Sequence, residues 1–243
     1  MNLNGKTAVI YGGAGTIGRA IAKAFTEADA DVHLVGRTEE SLRKAADPLG
    51  AKWTVVDALD EYGVDQHAAT FERIDISVNV ISDNDVQGIP FHEMDVDDYL
   101  SPVVTSVRSK FLTARAAARH MIKQKSGVIM FFGGTGDAQV HRRWHLGGLV
   151  TAFDAVEAMR RQLAAELGQH GVRVVTLQTG GIPETITDAA VRAQVEPDIV
   201  RETVLGRAAT LKDVGRAAVF AASDWGRAMT GAQVNITCGS VLS

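Results

Sequence analysis

The apolar positions of the chain fall into two alternating kinds of segment. Short runs that are mostly or wholly apolar, rich in Val and Ile, cover 7–11, 32–35, 53–56, 74–80, 128–132, 172–177 and 233–236. Longer stretches with apolar residues at three- and four-residue spacing lie between most of them, at 17–28, 41–49, 111–122, 150–167 and 214–222. The first kind predicts strands and the second helices. Strands alternating with helices require crossover connections, hence a mainly parallel sheet. Runs that are apolar throughout, rather than at every second position, belong to strands covered on both faces, so the predicted class is a doubly wound α/β sandwich. No linker, repeat or low-complexity tract interrupts the pattern, and 1–243 reads as a single domain. The segment 180–210 stands apart, with prolines at 183 and 197, many charges and little strand pattern. It reads as a helical excursion over one edge of the sheet, of the kind that serves as a substrate lid.

Composition narrows the function classes. The 243 residues carry 25 Lys+Arg against 29 Asp+Glu, a formal charge of −4. That balance lacks the basic face a nucleic-acid binder needs to displace counterions from phosphate. No run approaches the roughly 18 apolar residues of a membrane span, and residues 1–6 carry no apolar signal segment. A cytoplasmic protein without membrane contact is expected. Cys238 is the sole cysteine, which leaves no intramolecular disulfide and no cysteine cage for zinc; no metal is expected.

The first strand runs directly into Gly12-Gly13-Ala14-Gly15-Thr16-Ile17-Gly18, and a helix follows. Glycines there let the backbone turn sharply and approach a pyrophosphate, and the helix N-terminus offers free N–H groups to the anion. Placement between a first strand and its helix separates this motif from an ordinary glycine-rich turn. The second strand ends at Val35 and is followed by Gly36-Arg37. A carboxylate at this point would bond the ribose hydroxyls of NAD, whereas a guanidinium pairs with a 2′-phosphate, so Arg37 favours NADP(H) over NAD(H). Glu39 and Glu40 are close enough in sequence to pair with Arg37 instead.

With these residues in view, the chain resembles the short-chain dehydrogenase/reductase family along nearly its whole length. The resemblance rests on the glycine turn, Asp57 after the third strand, Asn79-Val80-Ile81-Ser82 after the fourth, and Gly127-Val128-Ile129 opening the fifth. It continues through Ala164-Ala165-Glu166-Leu167 with Gly171-Val172-Arg173-Val174, and Thr230-Gly231-Ala232-Gln233 at the last strand. It implies a Rossmann-like fold with a seven-stranded parallel sheet. It also implies a dinucleotide held by Gly12, Gly15, Ile17 and Gly18. Asp57 and Ala58 would meet the adenine, Asn79 and Val80 the adenosine ribose side, and Gly180 and Ile182 the nicotinamide. A homodimer or homotetramer joined through the helices at 111–122 and 150–167 is implied as well. Glu184 falls where a threonine usually meets the cofactor phosphates, so either the chain shifts by one residue or this carboxylate points away.

The same resemblance implies an Asn, a Ser and a Tyr-x-x-x-Lys pair for carbonyl reduction, the tyrosine delivering a proton and the lysine lowering its pKa. Counting from the flanking motifs places these slots at Ser106, Gly134, Leu149 and Phe153. None carries the expected group. The three tyrosines are Tyr11, Tyr62 and Tyr99, so no small shift of register supplies a proton donor. Substitute candidates are His145, which can donate at neutral pH, and Thr135, a hydroxyl beside the Ser slot. His145 suits a loop or interface position better than a donor role, and Thr135 a turn that satisfies local backbone. Two readings follow. One is an NADP(H)-dependent oxidoreductase acting on a small molecule through a non-standard site, for which an apolar pocket would suit hydride transfer to an activated alkene. The other is a catalytically inactive dinucleotide-binding, sensing or structural subunit.

Overall fold

The computed structural model describes residues 1–134 and 138–242. Among them seven strands form one sheet: β1 (Thr7–Tyr11), β2 (Asp31–Gly36), β3 (Lys52–Val55), β4 (Ile76–Asn79), β5 (Gly127–Gly134), β6 (Val172–Thr179) and β7 (Ala232–Asn235). Their order is β3-β2-β1-β4-β5-β6-β7, and every pairing is parallel. The helices are α1 (Thr16–Glu27), α2 (Glu39–Ala46), α3 (Glu61–Ala69), α4 (Val96–Gln124), α5 (Ala138–Trp144), α6 (Leu149–Leu167), α7 (Ala189–Arg201) and α8 (Leu211–Ala222). This is a single Rossmann-like α/β domain.

Successive residues of β1 feed opposite cores, as strand geometry demands. Ala8 and Ile10 pack with Phe25, Leu34 and Val214 on the side of α1, α2 and α8. Val9 and Tyr11 pack with Leu112, Met121 and Val156 on the side of α3, α4 and α6. Burial on both faces is why these strands read as continuously apolar. The direction of strand order reverses between β1 and β4, and ligands bind at such a switch point, beyond the carboxyl ends of the strands.

The elements that differ from the expected ones lie around that edge. Helix α4 extends far N-terminal of 111, capped by Asp95, whose Oδ1 accepts from the Asp97 N–H at 3.2 Å. Asp97 and Asp98 in its first turn suit the positive end of the helix dipole. Helix α3, absent from the sequence pattern, is capped by Asp60. β5 and β6 each run two residues beyond 132 and 177, which carries Gly134 and Thr179 to the rim. Within 180–210 the excursion is α7, capped by Asp188 and containing Pro197. No helix among the described residues is long and apolar enough to cross a membrane.

Candidate functional site

Two cavities open at the carboxyl edge of the sheet. The first, about 430 Å³, lies over the β1–α1 turn and is lined by Gly12, Gly15, Arg37, Asp57, Ala58 and Val80, among others. Gly12 has φ +82°, and a Cβ there would lie 2.7 Å from the backbone of Val80 and Ile81. A Cβ on Gly18 would lie 2.3 Å from the Gly12 carbonyl oxygen and 2.8 Å from the Gly13 Cα. Both glycines are therefore demanded by close backbone approach. Gly15 is the N-cap of α1, makes no side-chain cap and lines the cavity. A tight glycine turn at a helix N-terminus is the kind of place where backbone can approach an anion closely.

The other expected cofactor contacts sort by role. Arg37 is exposed on the cavity wall beside Thr38 and Ser41. No carboxylate lies within ion-pair distance of it among the described residues. Glu40 instead pairs with Lys44 at 2.7 Å. Asp57 is exposed, and its Oδ1 accepts from the Leu59 N–H at 3.0 Å. Asn79 is buried; its Nδ2 donates to Thr113 Oγ1 at 3.0 Å while its Oδ1 accepts from the Ile81 N–H. It shapes the loop that follows β4. Ile17 and Ile182 belong to the core beneath α8. Gly180 lines the second cavity. Glu184 is spent elsewhere: its Oε2 accepts from the Leu211 N–H at 2.5 Å, at the N-terminus of α8. The carboxylate thus points away, the second of the two arrangements expected for it.

The second cavity, about 370 Å³, lies between the ends of β5 and β6, the first turns of α6, and α7. Its wall is mainly apolar, with Phe132, Leu146, Leu149, Phe153, Val195 and Ile199 prominent. Leu149 and Phe153 share a face, as their spacing requires. Gly134 and Phe153 are packing partners, since a Cβ on Gly134 would lie 3.0 Å from Phe153 Cε2 and 3.2 Å from the Thr179 carbonyl oxygen. Helix α7 closes on the opposite wall, where Ile199 lies within 3.0 Å of the position a Cβ on Gly181 would take. Glu202 is the one ionisable side chain among the described lining residues. Its Oε1 accepts from Trp144 Nε1 at 3.4 Å and Arg143 Nη1 at 3.5 Å. The sequence pattern gave no sign of this carboxylate, because nothing local distinguishes it from the other charges of 180–210.

No tyrosine or lysine is among the described lining residues. Tyr11 is buried on the other side of β4, where desolvation, and then Asp65, raise its pKa. Tyr62 is exposed on α3. Tyr99 bonds Thr151 Oγ1 at 2.7 Å on the outer face of α6. His145 does not extend α6, which starts at Leu149; it sits in a left-handed turn, φ +45°, between the lining residues Trp144 and Leu146. Thr135 lies outside the described residues. Ser106 is fully buried and accepts a hydrogen bond from Lys110.

Comparison with known proteins gives the same architecture. The family profile described as Enoyl-(Acyl carrier protein) reductase matches residues 12–240. The chain is similar to the 3-oxoacyl-(acyl-carrier-protein) reductase FabG of Chlamydia pneumoniae, at 29% identity over 95% of this chain and 94% of that one. It is 30% identical to the D-threitol dehydrogenase of Mycolicibacterium smegmatis over 99% of this chain and 94% of that one. Among solved structures it resembles a Beutenbergia cavernae protein assigned as an NAD(P)-dependent gluconate 5-dehydrogenase, which holds NADP at low occupancy. The TM-score is 0.86 at 28% identity, over 100% of this chain and 99% of that one.

Proposed function

Because the chain belongs to the short-chain dehydrogenase/reductase family of oxidoreductases, we propose that it is an NADP(H)-dependent oxidoreductase. Its substrate is a small, largely apolar molecule, and it works without a tyrosine–lysine pair. The observation that carries this reading is the glycine turn at the start of α1, with Arg37, which has no carboxylate partner among the described residues, on the same cavity wall.

The residues present fit a dinucleotide. Gly12, Gly15 and Gly18 would let the pyrophosphate approach the α1 N-terminus, Arg37 would take the 2′-phosphate, and Asp57 would take the adenine amino group. When bound, the cofactor supplies hydride chemistry; the protein supplies orientation and charge. Phe132, Leu149 and Phe153 would exclude water and hold an apolar skeleton in the second cavity. The proton comes from water or from His145, because the described lining residues include no phenol. An activated alkene suits such a wall better than a simple ketone, because the carbon that takes hydride lies apart from the oxygen on which charge develops, whereas a ketone's oxygen would develop it against Leu149 and Phe153.

Helix α7 serves as the lid over this cavity. Val96, Leu100, Val104 and Phe111 expose an apolar stripe on α4, which supports self-association as a homodimer or homotetramer in the cytoplasm. The packing of Phe153 on Gly134 favours a second reading, a dinucleotide-binding protein without turnover. NADPH and NADH titrations followed by an enone and ketone panel separate these. Tighter NADPH binding with enone turnover supports the first reading, and NADPH binding without any turnover the second. Equal affinity for the two cofactors, or none for either, overturns the cofactor assignment, and brisk ketone reduction overturns the apolar-site argument.

A further inference from the structure

Lys110 lies on the inward face of α4 with 1% of its side chain exposed. An ammonium in that position costs several kcal/mol unless it is paired and hydrogen-bonded. Its Nζ donates to Asp83 Oδ1 at 2.8 Å and to Ser106 Oγ at 2.7 Å. The direction is set by the helix: long side chains lean toward the N-terminus, so the ammonium of residue 110 is delivered one turn up, at Ser106. Ser106 is the position where the family resemblance implies an asparagine. Asp83 comes from elsewhere, the irregular stretch that joins β4 to α4.

That stretch borders both cavities. Ile81, Ser82 and Asn84 line the first, and Gln87 lines the second. It has no regular backbone ladder of its own between Asn79 and Phe91. Asn84 is tied to Ser101 of α4 at 2.8 Å, and the Gly88 N–H bonds the carbonyls of Trp144 and His145. Asp83 is its one carboxylate held by a buried cation. The 13% exposure of Asp83 against 1% for Lys110 makes the pair asymmetric. Asp83 reaches water by a small outward movement, whereas Lys110 does not.

We infer that Lys110 is a positioning residue: the Lys110–Asp83–Ser106 contact holds residues 80–90 against both cavities, so that moving Asp83 away leaves a buried ammonium without its counter-charge. Its bearing on cofactor affinity rests on the dinucleotide reading above; its bearing on the loop does not.

The test is amide hydrogen exchange on the full chain, with NADPH titration alongside. Asp83→Asn leaves the buried ammonium hydrogen-bonded but without its counter-charge and is expected to speed exchange in 80–90 by about tenfold or more, with β4 and the C-terminal half of α4 unchanged. Lys110→Met is expected to do so less, because Asp83 hydrates. The double variant K110M/D83N removes both charges and returns exchange and NADPH affinity to within about threefold of wild type. Asp83→Glu, which keeps the charge, stays near wild type. An unfolded D83N beside a folded double variant supports the same conclusion. The inference is overturned by unchanged exchange in D83N, by a double variant no better than D83N, or by both failing to fold. If the wild type binds no NADPH yet D83N loosens the loop, the dinucleotide reading fails and the positioning role stands.

Discussion

Replacing Gly134 by alanine tests whether the wall of the apolar cavity is one packed unit. The new methyl would sit 3.0 Å from Phe153 Cε2, 3.5 Å from Phe153 Cζ and 3.2 Å from the Thr179 carbonyl oxygen. Carbon pairs prefer about 3.5–4.0 Å, so the ring must tilt or β5 must shift. Overpacking of this kind costs about 1–3 kcal/mol. The lower entropy of the unfolded alanine chain returns about 0.4–1 kcal/mol. The expected net loss is about 1–2 kcal/mol, and for a chain of this length each kcal/mol lowers Tm by about 2–4 °C. A drop of about 2–8 °C is therefore expected in thermal melts. In a Phe153→Leu background the contacting ring edge is gone and only the 3.2 Å approach to the Thr179 carbonyl oxygen remains, so most of the cost of G134A is expected to disappear. The cycle then gives a coupling of about 1–2 kcal/mol. Equal cost in both backgrounds, or a higher Tm for G134A alone, would refute the claim that Phe153 occupies the space a larger residue at 134 requires.

Three further outcomes are expected. Arg37→Ala weakens NADPH by about 10–100-fold, the worth of a charge-assisted bond, and leaves NADH within about twofold; parallel fluorescence titrations check this, and equal losses for both cofactors count against it. Gly18→Ala brings a methyl to 2.3 Å from the Gly12 carbonyl oxygen. Opening the turn to accept it costs about 3 kcal/mol, read as a lower Tm and as NADPH binding at least about thirtyfold weaker. His67 is 5% exposed, neither ring nitrogen has a hydrogen-bond partner among the described residues, and burial, then His33, bring its pKa down to about 4. Below about pH 6.5 the unfolded chain takes up a proton that the folded chain refuses. Stability therefore falls as pH drops from about 6.5 toward 4, by at most about 3 kcal/mol. His67→Leu flattens that limb of the Tm–pH curve, and an unaltered limb removes His67 as its source.

Much of the fold was legible because its strands are buried twice. The limits of β1 could be read to the residue, since Thr7–Tyr11 is flanked by Lys6 and Gly12. The first half of α4 could not. There Val96, Leu100 and Val104 face solvent while Ser106, Ser109 and Lys110 face inward, so hydropathy points the wrong way. Helix α3 was missed for a related reason, as only Val64, His67 and Ala68 are buried in it. At the site, the glycine turn and the shared face of Leu149 and Phe153 follow from local spacing. The partner of Phe153 does not, because Gly134 arrives from another element. Asp83 and Lys110 are likewise joined only by the way α4 returns beneath the loop. A lysine on a helix face otherwise occupied by Ser106, Thr113 and Ala117 was the available signal.

The parallel sheet also governs how the chain reaches this state. β1 ends up in the interior of the sheet, between β2 and β4, with Ala8 beside Ile76 and Tyr11 beside Asn79. Its second neighbour is synthesised about seventy residues later, an interval of about 3–14 s at ordinary translation rates. Throughout that delay the segment TAVIY has one side of its backbone ladder open, an invitation to pair with another nascent chain. Yield during overexpression accordingly falls as the wait for β4 lengthens, and a holdase that covers the open edge during that wait raises it.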